Sequence, residues 1–363
     1  MNDNIVGYEL SENQKNLWNV SKNNLDLFYN QVILNVKNNL SIEDFLNALN
    51  VVIKNNDVLK FKLVQDLNFT YPFQIDSSNS DVLWHEIDLS SSNGEVDSIL
   101  NYSYDPLTDN PVRVCFVKDA GQLKQVVLRL YSLWGDAYSC FYLCDEIGKI
   151  ILLDENYGIE EKETIDYASF STWQNDLINE PEREAILFWK NYNYQLTNTL
   201  IPFSNEAIAF TPKKKQIATI TGDDYFKIKD YCLTNNCQTR SVFLLNFISY
   251  LFQFSEDELT VGLSRFKREY GELDNTLGLV SKNIPLKINK LSEFSFTEAL
   301  KNIDIQIELV EEWSDFFTLN RGDVATSFSK TAYFNYCFEF IDLATTFQGA
   351  LDLFEVKELY AIQ

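Results

Sequence analysis

The sequence predicts an α/β protein built from two successive halves. Strand-like runs rich in β-branched and aromatic residues alternate with amphipathic helical segments along the 363-residue chain. Between them, IPFSNEAIAFTPKKK at residues 201–215 has no clear apolar period. We therefore predict an N-terminal lobe over residues 1–200, a linker over 201–215 and a C-terminal lobe over 216–363.

In the first half, helices are predicted where a capping residue precedes an apolar pattern. Ser11 opens LSENQKNLW, and Ser41 opens the amphipathic segment SIEDFLNALNVVIKNN. Strands are predicted at YNQVILNVK, at VLKFKLV and within PFQIDSSNSDVLWHEIDLSSSNGE. PVRVCFVKDAGQLKQVVLRLYSLW predicts a hairpin that turns at Ala120-Gly121. A helix follows over about 137–146, and residues 165–196 are predicted to be helical with a break near Pro181.

The second half repeats this mixture of strands and helices. Its strands are predicted at QIATIT, LTVGLSR, NIPLKINK and KTAYFNYCFEFID, and its helices at DDYFKIKDYCLTN, SVFLLNFISYLFQF and SFTEALKNIDIQIELVEEW. SVFLLNFISYLFQF is the most apolar segment, but it is too short to span a bilayer and contains Asn246 and Gln253. It is predicted to be a buried core helix.

Charge and composition exclude several classes of function. The formal net charge is −23 and the pI is about 4.4, which argues against binding to nucleic acid or to an anionic membrane. The opening MNDNIVGYEL lacks the pattern of a signal peptide, so a cytoplasmic protein is predicted. With one histidine and six cysteines without CxxC spacing, no metal site is expected. Cys140 and Cys144, one helical turn apart, are predicted to be buried free thiols.

The stretch LRLYSLWGDAYSCFYL, residues 128–143, is the strongest candidate for a functional site. It predicts a buried strand that ends near Trp134, a turn at Gly135-Asp136 and an apolar helix. Polar residues at the end of a buried strand are a common position for chemistry. The turn region carries Tyr131, Ser132 and Asp136 but no imidazole, so it is either an active site or the remnant of one.

Six segments, taken in order, resemble the condensation domains of nonribosomal peptide synthetases, which belong to a superfamily of acyltransferases built like chloramphenicol acetyltransferase. LSENQKNLW is similar to the opening Ser-x-x-Gln-x-x-x-Trp signature, and NNDVLKFKL stands where the family has Arg-His-Glu-x-Leu-Arg-Thr-x-Phe. LYSLWGDAYS stands at the family's His-His-x-x-x-Asp-Gly-x-Ser motif. DYASFSTWQNDL resembles the Tyr-Ala-Asp-Tyr-Ala-x-Trp-Gln segment. FWKNYNYQLTNTLIPF and ELTVGLSRFKREYGELDNTLGLVSKNIPLKI complete the series, which covers residues 8–340.

This resemblance implies a fold of two lobes in a V with a central tunnel. Carrier-protein phosphopantetheine arms would enter the tunnel from opposite faces, one with the acyl donor and one with the amine acceptor, and no bound cofactor is implied. The tunnel would be lined by Gly135, Ala137, Tyr138, Lys282 and Asn283. The chain ends where the family continues, so the C-terminal lobe is expected to be incomplete.

At the motif itself, the resemblance implies that the catalytic base is missing. Ser132 replaces the second histidine, which in the family assists attack of the amine on a thioester, and Tyr131 replaces the first. Neither a serine hydroxyl nor an ordinary tyrosine accepts a proton near pH 7, and loss of a general base costs ~10²–10⁴ in rate. The only histidine, His85, is expected on a surface or edge strand far from the motif.

Asp136, by contrast, matches the motif, in which the aspartate is structural. The family pairs it with an arginine of the second lobe, and the aligned residue here is Arg268, although Lys267 replaces the preceding glycine. The alternative is that Arg268 is a surface residue in a basic cluster with Arg265 and Lys267. Ala137, in place of the motif glycine, is expected to narrow the tunnel.

Three functions follow as hypotheses. The leading one is a degenerate condensation domain, inactive in amide formation, that acts as a structural or recruiting platform for carrier proteins and neighbouring synthetase domains. The alternative is an active condensation enzyme that joins carrier-tethered acyl and amine substrates by positioning alone. The third is a stand-alone acyltransferase-like binding protein.

Overall fold

The structure is a computed structural model of the chain. The residues that it describes are 7–21, 26, 28–37, 40–77, 81–90, 104–153, 165–192, 194, 216–254, 258–265, 268, 270–290, 293–318, 334–342 and 352–361. The predicted linker at 201–215 and Lys267 lie outside these residues.

The chain forms two compact units that interleave along the sequence. The first unit comprises Met1–Glu180, Phe266–Lys282 and Ile341–Gln363, and the second comprises Pro181–Arg265 and Asn283–Phe340. The predicted boundary between the lobes at 201–215 stays a prediction. Two segments of the second half, Phe266–Lys282 and Ile341–Gln363, group with the first unit.

The first unit contains two sheets in its described part. Its strands are β1 (Gly7–Glu9), β2 (Tyr29–Val36), β3 (Phe61–Val64), β4 (Phe73–Asp76), β5 (Leu83–Asp88), β6 (Val112–Asp119), β7 (Gln122–Tyr131) and β11 (Phe354–Ala361). A five-stranded sheet has the order β11-β2-β7-β6-β5, and a three-stranded sheet has the order β1-β4-β3. Strands β6 and β7 form the predicted hairpin, whose turn uses positive φ angles at Ala120 and Gly121.

Helices cover the apolar face of the larger sheet. Helix α2 (Ile42–Asn55) is capped by Ser41, whose hydroxyl accepts a hydrogen bond from the Asp44 amide, and it packs against α3 (Ala137–Leu153). The core between these helices and the sheet includes Phe45, Leu128 and Leu130, each 0% exposed. The helices of this unit are α1 (Glu12–Ser21), α2 (Ile42–Asn55), α3 (Ala137–Leu153) and α4 (Tyr167–Asn179).

The second unit is built around a small sheet of order β10-β8-β9. Helix α8 begins with a complete capping box between Ser295 and Glu298, and it packs against α7. A separate core joins these elements through Leu244, Ile284 and Ile303. The elements are α5 (Arg183–Tyr192), α6 (Gly222–Asn235), α7 (Thr239–Leu251), β8 (Glu258–Arg265), β9 (Lys282–Asn289), α8 (Phe296–Glu312) and β10 (Cys337–Phe338).

One strand prediction in the second half is wrong, and another is confirmed over two residues only. QIATIT is not a strand, because its residues 216–221 are exposed and pair with no strand in the described part of the chain. Of KTAYFNYCFEFID, the described residues contribute only the two-residue strand β10, which pairs with β8. Helix α3 also extends beyond its predicted end, to Leu153. The apolar segment is confirmed as a core helix, which covers Thr239–Leu251. Within the described residues no helix has both the length and the apolar character needed to cross a bilayer.

Candidate active site

The candidate turn connects the centre of the larger sheet to helix α3. Strand β7 ends at Tyr131, which lies opposite Tyr29 of β2, and α3 begins at Ala137. The intervening side chains are buried: Tyr131 is 1% exposed, and Ser132 and Asp136 are 0% exposed. The turn is therefore a packed part of the first unit.

Tyr131, at the position of the family's first histidine, packs among aromatic and cationic side chains. Its ring is stacked on Tyr104, with centroids 3.6 Å apart and planes 8° apart, and makes an edge contact with Tyr29. The guanidinium of Arg113 lies 5.2 Å from the ring centroid. Burial raises the pKa of Tyr131 above its ordinary value of 10.0, although Arg113 and Arg129 oppose this shift. At neutral pH Tyr131 is an uncharged phenol, which is not a base.

Tyr104 was not identified by the sequence analysis, because it lies in a polar loop with no motif around it. Its ring is 6% exposed, and its hydroxyl accepts a hydrogen bond from Nε1 of Trp134. Burial raises the pKa of Tyr104 well above its usual value. Tyr104 is therefore neutral, and it contacts Tyr131 and Trp134, which flank Ser132-Leu133 on either side.

Ser132, at the position of the family's second histidine, is held by strand β2. Its amide donates to the Phe28 carbonyl at 3.0 Å, and its hydroxyl accepts a hydrogen bond from Nδ2 of Asn30 at 3.3 Å. The same Nδ2 also donates to the Gly135 carbonyl at 2.8 Å, which fixes the orientation of the Asn30 amide. Ser132 is thus bonded to the Asn30 amide and the Phe28 carbonyl, and these groups do not turn a hydroxyl into a proton acceptor.

Asp136 and Arg268 form a buried, bidentate ion pair. Both carboxylate oxygens lie 3.0 Å from guanidinium nitrogens, and the two side chains are 0% and 1% exposed. The alternative that Arg268 is a surface residue is wrong. Arg265, from the same basic cluster, is instead buried and pairs with Asp315.

The Asp136 carboxylate also accepts several hydrogen bonds besides those from Arg268. The amide of Ser139 donates to Oδ1 at 2.8 Å, which caps helix α3, and the amide of Ser281 donates to Oδ2 at 2.8 Å. Burial alone would raise the pKa of Asp136, but the Arg268 charge and these hydrogen bonds outweigh it and lower the pKa below 3.8. Asp136 is therefore an ionised carboxylate, and both of its oxygens accept hydrogen bonds that hold the fold together.

The segment that carries Arg268 belongs to the first unit rather than to a second lobe. Asn13 donates to the carbonyls of Leu279 and Val280 at 3.2 and 2.9 Å, and the Tyr167 hydroxyl donates to Leu279 at 3.1 Å. Gly278 packs so closely on the Tyr167 ring that a Cβ there would lie 1.9 Å from Cδ2. Residues 278–280 are thereby bound to helices α1 and α4.

The opening signature of the sequence contributes directly to this site. Gln14 accepts a hydrogen bond from the Ser11 amide, and its Nε2 donates to the Leu133 carbonyl at 3.0 Å. The Ser11 hydroxyl is bonded to that of Tyr167 at 2.9 Å. The two polar residues of the Ser-x-x-Gln pattern therefore hold the candidate turn and the helix that supports residues 268–282.

The remaining predicted tunnel residues fall into two groups. Ala137 and Tyr138 begin helix α3, and the Tyr138 ring lies 4.0 Å below the Arg268 guanidinium, with its hydroxyl donating to the Asp274 carbonyl. Lys282 and Asn283 begin strand β9 and fall in different compact units. That Gly135 and these four residues line a tunnel stays a prediction.

The only histidine of the sequence, His85, does not reach the turn. His85 lies on β5, the edge strand of the larger sheet, two strands from β7 and level with Val127. Strand spacing and rise place it roughly 16 Å from Tyr131.

Within the described ranges, no three His, Cys, Asp or Glu side chains cluster as metal ligands would. Cys140 and Cys144 are buried free thiols, as predicted, and burial raises the pKa of Cys140 to about 12.

Several solved structures share the fold of this chain. The condensation domain of the monacolin K polyketide synthase MokA is similar with a TM-score of 0.76 and 13% identity, covering 98% of this chain and 86% of that one. The first condensation domain of the calcium-dependent antibiotic synthetase, solved with a substrate analogue, is similar with a TM-score of 0.73 and 13% identity, covering 88% and 77%.

Part of AB3403, a four-domain nonribosomal peptide synthetase, shares the fold as well. That chain is similar with a TM-score of 0.71 and 13% identity, and the match covers 87% of this chain and 25% of that one. No curated protein matches the sequence. The family model of the condensation domain matches residues 5–340. With the α/β fold and the ordered motifs, this match shows that the chain belongs to the condensation domain family.

Proposed function

We propose that this condensation domain does not form amide bonds and serves as a structural or partner-recruiting platform in a nonribosomal peptide assembly line. The environment of Ser132 carries the proposal. Its hydroxyl is buried and bonded to Asn30, and its neighbour Tyr131 is a neutral phenol. Neither group takes up a proton at neutral pH as an imidazole does. Without a general base, the rate would fall by ~10²–10⁴.

The retained scaffold supports a role in binding. The Asp136–Arg268 pair and its hydrogen bonds preserve the shape of the turn although the residue beside it no longer suits catalysis. The proposed partners are carrier proteins, with phosphopantetheine arms as tethers, and neighbouring synthetase domains in the cytoplasm. In this proposal Gly135, Ala137, Tyr138, Lys282 and Asn283 line the path of those arms.

An assay of amide formation tests the proposal. A donor carrier protein loaded with an acyl group and an acceptor carrier protein loaded with an amino acid are mixed with wild-type or Ser132→His domain, and the product is measured by mass spectrometry. An active condensation domain serves as the positive control. We expect the wild type to form no more product than the mixture without a domain. Efficient product formation by the wild type would end the proposal.

An active enzyme that relies on positioning is the second candidate, favoured by the intact ion pair beneath the turn. Correct placement of an amine and a thioester contributes ~7–11 kcal/mol. Tyr131 or Ser132 would then donate a hydrogen bond to the oxyanion. In that case Ser132→Ala should lower turnover strongly, and an unchanged rate would exclude Ser132. A third candidate, a stand-alone binding protein, is disfavoured if neighbouring genes encode adenylation and carrier domains.

A further inference from the structure

We infer that Tyr104 closes the Tyr131–Trp134 part of the turn against reactants, so that an arm on the path along Gly135 and Ala137 does not bring its cargo to Ser132, which is blocked sterically as well as unsuited to act as a base. This inference rests on the proposed function and identifies the residue that keeps a substrate from the turn. The Tyr104 ring is stacked on Tyr131 at 3.6 Å, and its hydroxyl accepts a hydrogen bond from Trp134. Tyr131 and Trp134 stand at the two ends of the tetrapeptide that contains Ser132, so one side chain covers both.

The loop that carries Tyr104 is attached to both sheets of the first unit. The Pro106 carbonyl accepts a hydrogen bond from the amide of Leu63 on β3 at 3.0 Å. Asp109 forms an ion pair with Arg113 of β6 at 3.3 Å and also accepts the Asp105 amide at 3.0 Å. The loop that carries Tyr104 is therefore anchored by hydrogen bonds and an ion pair, and the Tyr104 side chain is buried.

Arg113 adds a further contact to the closure. Its guanidinium lies 5.2 Å from the ring centroid of Tyr131 and 6.0 Å from that of Tyr104, so one buried cation contacts both members of the stack. Opening the turn would separate these rings and leave the buried Trp134 N–H without its acceptor. Both costs favour the closed arrangement, in which Tyr131 and Trp134 are 1% and 0% exposed.

Chemical labelling of the turn tests this inference without measuring condensation. The substitution Ser132→Cys introduces a thiol into the turn, and its rate of reaction with a small maleimide is followed by peptide mass spectrometry. Cys337, which is exposed, provides an internal reference. We expect the introduced thiol to react about 100-fold more slowly than Cys337, since reaction requires local opening. The added substitution Tyr104→Ala should accelerate labelling about 10-fold or more.

Three further variants distinguish closure by Tyr104 from a general loss of stability of the first unit. Tyr104→Phe keeps the stacked ring and should stay slow, and Tyr104→Leu serves as the opened variant if Tyr104→Ala does not fold. Phe45→Ala removes another buried aromatic ring of the same unit, one that contacts Phe116 and Phe354, and should leave the labelling rate unchanged.

The labelling results also distinguish this inference from the proposed function. Rapid labelling with Tyr104 present would overturn the inference. So would equal acceleration by Phe45→Ala, or no acceleration in a folded Tyr104 variant. Amide formation by the wild type would overturn the proposed function, whereas slow labelling in that same protein would still support closure by Tyr104.

Discussion

Replacing Asp136 with alanine should lower the free energy of unfolding by about 3–5 kcal/mol, because it leaves the Arg268 charge buried without its partner. The Arg268 side chain is 1% exposed and comes from a segment remote in sequence, so the turn and residues 270–282 should loosen together. The measurement is denaturant unfolding followed by circular dichroism.

A surface ion pair of the same unit provides the matched control. Asp57 pairs with Lys60 at 2.6 Å, but its side chain is 49% exposed, so Asp57→Ala should cost less than about 1 kcal/mol. The double substitution Asp136→Ala with Arg268→Ala should cost less than the sum of its single changes, since no unpaired charge remains. Equal effects of Asp136→Ala and Asp57→Ala would contradict the structural role of the buried pair.

The same pair predicts a dependence of stability on pH. The pKa of Asp136 is lower in the folded protein than its ordinary value of 3.8. Its stabilising contribution is therefore complete above that ordinary value and is lost as the pH falls through the lower folded-state pKa. The stability difference between wild type and Asp136→Asn should be constant near neutrality and narrow only in acid. A difference that narrows between pH 6 and 8 would point to another group.

Gly278→Ala should be the second severe substitution, with a loss of about 2–5 kcal/mol in the free energy of unfolding. The φ angle of Gly278 is +147°, and a Cβ there would lie 1.9 Å from Cδ2 of Tyr167. Tyr167 cannot easily move aside, because its hydroxyl is bonded to Ser11 and to the Leu279 carbonyl.

Gly121→Ala isolates the backbone contribution to this loss. The φ angle of Gly121 is +77°, but no atom lies within 4 Å of its added Cβ. It should therefore lose only about 1–2 kcal/mol, from backbone strain alone. If both alanine variants lose the same stability in thermal and denaturant unfolding, the close packing of Gly278 on Tyr167 is not what holds the segment.

The sequence predicted elements that carry their own signals. Ser41 and Ser295 start helices α2 and α8 because each caps an amphipathic run, and the hairpin turns at Ala120-Gly121. QIATIT alternates as a strand does, yet Ile217 is 69% exposed, because alternation does not guarantee a partner strand. Strand β11 was not predicted, because its partner β2 lies more than 300 positions away in the sequence and no local pattern encodes that pairing.

At the site, the residues that match a family motif could be predicted from the sequence, and the residues placed there by tertiary packing could not. Asp136 and Arg268 stand in recognisable segments, and the two side chains meet in the structure. Tyr104 lies in NYSYDPLTDN, a polar loop in which nothing marks one tyrosine over another. Its importance arises from its stack on Tyr131, a contact between residues 27 positions apart that no local pattern encodes.

The most direct test of the central claim is the pH dependence of amide formation by the wild-type domain. Single-turnover rates with loaded donor and acceptor carrier proteins are measured from pH 6 to 9, beside the same mixtures without the domain. Because burial raises the pKa of Tyr131 above 10.0, and Ser132 does not titrate, the account predicts rates equal to those without the domain at every pH, so that any bend is that of the acceptor amine itself. A rate well above background, with an inflection that the mixtures without the domain lack, would reveal a working base and contradict it.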